Sequence, residues 1–155
     1  MTGELFLKHS AGKLNQMTGH IDTCISKLDA SQIWNCEYGN SIGNLVLHLC
    51  GNVRQWIGWS LGGLPDIRNR DLEFSTGSVE DLLPLLHKTV GEAVAILETL
   101  PPDRLTDRVP TQDGDRYVLE VIFQVVGHFQ QHTGQIIFAA KMLTGEDLQF
   151  YKKSP

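Results

Sequence analysis

The sequence predicts an all-α protein, a four-helix bundle folded as a single domain over residues 1–155. Three observations carry that expectation. Four long segments repeat apolar residues at the three- and four-residue intervals of one helical face. The stretches between them are polar and punctuated by glycine and proline. No segment alternates apolar and polar residues convincingly in the manner of a half-buried strand.

The first helix is expected from about Glu4 to Leu28, with Leu7, Leu14, Met17, Ile21, Cys24 and Leu28 on one face. Gly12 and Gly19 weaken it without breaking it. The second follows Glu37–Tyr38–Gly39–Asn40, with Asn40 or Ser41 as its cap. It buries Ile42, Leu45, Val46, Leu49, Val53 and Trp56, and ends by Gly62–Gly63 and Pro65. A polar loop is expected from Pro65 to Gly77. The third helix is expected from Ser78, with Asp81 completing an approximate capping box. Its stripe is Val79, Leu82, Leu86, Val90, Ala93, Leu97 and Leu100. Pro84 either kinks its first turns or delays its start, and Pro101–Pro102 stops it. A second polar loop turns at Asp113–Gly114. Asp115 then caps a fourth helix reaching about Leu143, built on Val118, Val121, Ile122, Val125, Phe129, Ile136 and Ala139. Thr144–Gly145 marks its end.

The formal charge is −5. There is no stripe of Lys and Arg, and the densest basic pair, Arg68 and Arg70, sits among Asp66 and Asp71. This composition argues against nucleic acid as a partner. No apolar run is long enough to cross a bilayer, so no membrane partner is expected. The opening Met1–Thr2–Gly3–Glu4 lacks a basic stretch leading into an apolar one, so no signal peptide is expected. Cys24, Cys36 and Cys50 are odd in number and widely spaced, which fits reduced thiols and a cytoplasmic protein.

The candidate site is a set of three histidines. His128 and His132 lie four apart in the fourth helix, so both project from one face, close enough to share one ion. His48 sits at the edge of the second helix's apolar face, with Asn44 and Asn52 one turn to either side. Gln124 and Gln135 neighbour the pair along the fourth helix. Each helix thus carries a polar strip beside its core stripe. If the strips face one another, three imidazole nitrogens meet and leave positions open, as in a catalytic metal site. Asn44, Asn52 and Gln135 then orient rings or bound water. Each has a plainer reading as a solvated polar residue, and a lone half-buried histidine is more often structural than a ligand. The third histidine adds weight to the pair. His9, His20 and His87 have no comparable setting and are read as surface or structural residues. Trp34, Trp56 and Trp59 read as core or interface aromatics. Glu37 and Glu120 have no spacing that marks them as catalytic.

Two stretches carry a resemblance to a known family. One is Ser41–Ile42–Gly43–Asn44–Leu45–Val46–Leu47–His48–Leu49–Cys50–Gly51–Asn52–Val53–Arg54–Gln55–Trp56. The other is Gly127–His128–Phe129–Gln130–Gln131–His132–Thr133–Gly134–Gln135–Ile136, followed by Lys141–Met142–Leu143–Thr144–Gly145–Glu146–Asp147–Leu148. With the four-helix layout, they resemble the DinB/YfiT-like superfamily of metalloenzymes over nearly the whole length. That family's signature is one histidine on the second helix and H-x3-H on the fourth, matched here by His48, His128 and His132. The resemblance implies one divalent ion, commonly nickel or zinc, and a frequent homodimer. It also implies thiol-dependent transferases or isomerases that use low-molecular-weight thiols such as bacillithiol or mycothiol.

The expectation is therefore a metal-dependent enzyme acting on a small-molecule substrate, with a thiol S-transferase as the leading version. There the ion lowers the pKa of the thiol cofactor, and the thiolate attacks an electrophile. The alternatives are a metal-dependent hydrolase and a non-catalytic metal- or ligand-binding dimeric module. A thiol carrier is anionic, and Arg54 and Arg116 are the nearest basic candidates to receive it. No general acid or base is singled out. A homodimer is expected from Trp56–Ile57–Gly58–Trp59–Ser60–Leu61, whose apolar residues run around more than one helical face.

Overall fold

The computed structural model describes residues 1–37 and 39–150; Tyr38, in the expected approach to the second helix, lies outside them. Among the described residues the chain is predominantly helical. The α-helices are α1 (Thr2–Ile25), α2 (Ala30–Ile33), α3 (Ile42–Val53), α4 (Arg70–Ser75), α5 (Leu82–Thr99) and α6 (Val118–Thr144). Helix α1 packs on α5 and α6, and α3 packs on the same two. The four long helices thus close around one apolar core, whose largest fully buried side chains include Phe129, Leu14, Ile21, Leu49 and Ile122. No helix among the described residues is long and apolar enough to cross a membrane.

The apolar periodicities decide which faces are buried. Leu7, Leu14, Met17, Ile21 and Cys24 of α1 all point inward, as do Val46, Leu49 and Val53 of α3. Ser41 caps α3 by accepting the Asn44 amide N–H at 3.0 Å. Beyond Val53 the helix continues as a π-helical turn, Arg54–Trp59. There Gln55, Trp56, Ile57 and Gly58 are buried in succession, more than one α-helical stripe accommodates. The apolar residues Trp56 and Ile57 therefore face the chain's own core rather than a partner.

Other elements depart from expectation for local reasons. The loop from Pro65 to Gly77 contains α4, capped by the Asn69 side chain accepting the Leu72 N–H. Six residues are too few to leave a periodic signal. Helix α5 starts at Leu82 rather than Ser78. Pro84 falls within its first turn, where neither its missing N–H nor its ring conflicts with an intrahelical carbonyl. Helix α6 starts after Tyr117, not Asp115, and the Glu120 carboxylate accepts the Tyr117 N–H at 2.9 Å. Just before it, Arg108–Val109 (β1) and Arg116–Tyr117 (β2) form a two-residue antiparallel ladder around the expected Asp113–Gly114 turn. Gly145, in the left-handed region, ends α6.

Gly43 shows how closely the start of α3 is packed. A Cβ there would stand 2.5 Å from the Trp34 ring, which lies flat over the helix backbone. Gly43→Ala should cost about 1–3 kcal/mol through overpacking. Each kcal/mol corresponds to about 2–4 °C in Tm for a chain of this size, so a thermal melt indistinguishable from wild type would show that Trp34 does not pack there.

Candidate metal centre

Helices α3 and α6 run antiparallel, with His48 beside His128 and Trp56 beside Leu119 to Gln124. This brings the three histidines together as their spacing predicts. His48 Nε2 lies 3.0 Å from His128 Nε2, and His132 Nε2 lies 3.1 Å from the same atom. The rings meet edge to face, with centroids 4.5 to 5.0 Å apart. His48 is buried, and His128 and His132 are half-buried. One ring nitrogen from each lies within a common span of 4.8 Å, a group that can hold a metal ion.

The outer nitrogens fix which inner ones carry a lone pair. His48 Nδ1 donates to Glu73 Oε2 at 2.8 Å. Glu73 accepts two further bonds from Arg68, Nε to Oε1 at 2.7 Å and Nη2 to Oε2 at 3.0 Å. Burial opposes charge on this carboxylate, but the hydrogen bonds from His48 and Arg68 prevail and hold its pKa below the usual range. An ionised carboxylate only accepts, so the neutral His48 ring that satisfies it carries its proton on Nδ1 and leaves Nε2 free to bind, with Arg68 Nη2 also 3.2 Å from Nδ1. His132 Nδ1 likewise donates to Gln135 Oε1 at 2.6 Å, freeing its Nε2. With both outer rings set this way, His128 Nε2 cannot donate fully to the two lone pairs that flank it. Its other nitrogen, Nδ1, is buried without a partner among the described residues. A cation between the three Nε2 atoms satisfies all of them at once, so the donor set fits a divalent ion.

Burial, reinforced by the neighbouring His132, His48 and Arg68, pushes His128 down to about 4. Burial also lowers His132, against the Gln135 hydrogen bond that raises it. Both shifts favour the neutral rings of His128 and His132, the state a metal ligand requires.

The residues expected around the histidines occupy different places. Gln135 contacts His132 directly. Asn44 makes no hydrogen bond to a histidine among the described residues, but its side-chain amide donates to the backbone oxygens of Glu73 and Thr76 at 3.0 and 2.7 Å, fastening the C-terminal part of α4 to α3. Asn52 is buried one turn beyond His48, and its Oδ1 has no partner among the described residues. Arg54 lines a separate cleft on the Glu73 side of His48, and lies 3.8 Å from Glu92. His87 pairs with Asp22 at the surface, and His20 stacks on Phe150. Glu37 is exposed, and Glu120 serves as a cap.

Glu73 and Arg68 were not among the sequence-derived candidates. Arg68 stands among sequence-near acids, yet its guanidinium reaches past them to Glu73 and to Gln55, whose Oε1 it meets at 3.0 Å. One sequence signal was available: Gly51, one turn from His48 on an otherwise well-filled helix. A Cβ at Gly51 would overlap Glu73 Oε1, so the glycine makes room for the carboxylate.

The profile of a family described as "Protein of unknown function (DUF1572)" matches residues 1–152. The chain belongs to this family. No curated protein matches it. What the DUF1572 chain does must therefore be argued from its own residues.

The depressed His128 pKa has a measurable consequence. An unfolded histidine titrates near 6.5, and His128 in the folded protein near 4. Between those values the unfolded chain binds the extra proton, so the metal-free protein loses stability as pH falls through this window. Chemical denaturation of wild type and His128→Ala from neutral to acidic pH should show a shallower decline for the variant. Parallel curves would contradict the assignment.

Proposed function

We propose that the protein is a metal-dependent enzyme of the DinB/YfiT-like type, a single-domain four-helix bundle. In this reading His48, His128 and His132 hold one divalent ion, nickel or zinc, both of which suit imidazole. The observation that carries it is the convergence of three Nε2 atoms, two with their outward nitrogens already committed to acceptors. Among the described residues no carboxylate or thiol joins them as a fourth donor, which favours a site with open positions over a closed structural one.

A divalent ion there supplies Lewis acidity, lowering the pKa of a thiol or water held beside it. The protein's part is to hold the three rings turned inward and partly shielded from water, with burial favouring the neutral forms of His128 and His132. Glu73 keeps the proton at His48 Nδ1, and Gln135 does the same at His132. Two features favour thiol transfer over hydrolysis. The nearest carboxylate, Glu73, is engaged behind His48 and is not free to act as a general base for water. The buried cysteines are poor thiolates, since burial pushes Cys24 up to about 11 and Cys50 up to about 12. Cys36 is exposed but lies outside the histidine cluster, so the thiol of this reading is an external one of low molecular weight. A recess of about 280 Å³, lined by Trp56, Arg116, Phe123 and Gln124, opens one turn of α6 from His128 and offers room for a small substrate.

A homodimer belongs to the same reading, with a different basis from the Trp56–Leu61 stretch. Leu119, Phe123, Phe138 and Met142 of α6 are exposed and offer an apolar surface to a second copy. Light scattering at micromolar concentration should give twice the chain mass; a monomer would remove this part.

The metal itself is tested by elemental analysis after loading with zinc or nickel and desalting. Wild type and His87→Ala should retain one ion per chain, and the His48/His128/His132 triple alanine variant none. Equal stoichiometry in the triple variant would overturn the proposal. Glu73→Ala should still bind, with affinity weakened about 10–100-fold through loss of the carboxylate behind His48. An unchanged affinity would show that Glu73 has no part in the site.

A further inference from the structure

Helix α6 turns one face to solvent along its length. Leu119, Phe123, Phe138 and Met142 stand out from it, 43%, 71%, 67% and 71% exposed. Gly127, Gln130, Gln131 and Gly134 are exposed between them. The order of residues along this face is symmetric about the Gln130–Gln131 bond. Gly127 and Gly134 lie equally far from it, as do Phe123 and Phe138, Glu120 and Lys141, and Leu119 and Met142. Two antiparallel copies of α6, related by a two-fold axis beside that bond, therefore bring each residue level with its counterpart. Glycine meets glycine, phenylalanine meets phenylalanine and glutamate meets lysine.

Charge sets the direction of such a pair. Glu120 and Lys141 are the only Asp, Glu, Lys or Arg residues of α6, and both are exposed. Antiparallel copies place each glutamate against a lysine, whereas parallel copies in register place like charges together, which is unfavourable. Glu120 uses Oε2 to accept the Tyr117 N–H, and Lys141 Nζ donates to Asp147 at 3.3 Å. Glu120 Oε1 and two ammonium N–H groups are left for a second copy. The glycines set the approach. A Cβ at Gly127 or Gly134 would meet nothing within 4 Å, so the chain's own packing does not require glycine at either position. Glycine weakens a helix interior relative to alanine. Bare backbone at the middle of the face lets a second helix come close, with the phenylalanines packed to either side.

We propose that two copies pair through α6 in this antiparallel register, and that each completes the other's recess. The inference rests on the homodimer of the preceding reading and gives it an interface. Leu119, Glu120 and Phe123 belong both to this face and to the lining of the recess near His128. Phe138 of the partner subunit stands against Phe123 and closes the outer side of that space. The candidate substrate site is thereby shared between two chains.

The test is cross-linking of metal-free protein in a Cys36→Ser background, which leaves only the buried Cys24 and Cys50. Glu120→Cys and Lys141→Cys are made in separate chains. Across the dimer, each new thiol lies about 32 Å along the helix axis from its own copy but level with the other. A short bis-maleimide should join the two variants when mixed and neither variant alone. Phe123→Cys mixed with Phe138→Cys should behave in the same way, and failure of this pair overturns the shared recess. Phe123→Ser/Phe138→Ser changes only exposed side chains. It should stay helical by circular dichroism and dimerise at least about tenfold more weakly, a loss of about 1.4 kcal/mol. Cross-linking of each variant to itself would mean a parallel pair and overturn the proposal. A dimer that cross-links in no combination, or a folded double-serine variant with wild-type affinity, would place the contact on another face and overturn it while leaving a homodimer. A monomeric wild type would overturn it together with the homodimer. The metal-loading result is independent of all these outcomes.

Discussion

The position of one proton organises the site: the hydrogen on His48 Nδ1, held by Glu73. If that proton sat on Nε2 instead, His48 would present an N–H to its neighbours, and three ring nitrogens could not converge as donors of lone pairs. Glu73 imposes the choice only because it is ionised, and it stays ionised in a buried position because the hydrogen bond from His48 and the grip of Arg68 on both of its oxygens outweigh burial. Breaking that grip would leave an uncompensated buried charge, which costs far more than a surface ion pair contributes. A short arginine–carboxylate–imidazole chain therefore transmits the geometry of α4 to the inner face of the helices.

Much of the surrounding packing serves to bring α4 there. Gly51 leaves the space that the Glu73 carboxylate fills. Asn44 joins the start of α3 to the backbone of α4, and Ser41 both caps α3 and donates to Asn44 Oδ1 at 2.6 Å. The π-helical turn after Val53 buries Gln55, whose Oε1 receives an N–H of Arg68. These contacts use small polar residues close in sequence to His48, so the stretch Ser41–Gln55 supplies a metal-ligand candidate and the means of orienting it. On α6 the arrangement is simpler. His128 and His132 share a face by helical repeat alone, and Gln135, one turn on, turns the second ring.

What could be read from the sequence follows the range of the interactions. The long helices and their buried faces were legible, because apolar residues recur every three or four positions over many turns. The three histidines were legible for the same reason, two through spacing within one helix and the third through its place at the edge of another stripe. Glu73 and Arg68 were not. Helix α4 is too short to register, and Arg68 is flanked by Asp66 and Asp71, which look like its partners until the chain turns at Asn69 and brings Glu73 to the guanidinium. The stretch Trp56–Leu61 was legible only in part. Its apolar residues cover more than one α-helical face, which reads as a surface for a partner, whereas a π-helical turn buries Trp56 and Ile57 in the chain's own core.

The protonation of His48 is directly observable. Long-range 15N–1H correlation spectra of the metal-free protein at mildly alkaline pH distinguish a protonated ring nitrogen from one bearing a lone pair. The account predicts that His48 carries its proton on Nδ1 and shows a lone-pair signature at Nε2. A His48 resonance protonated at Nε2, with the lone pair at Nδ1, would contradict it.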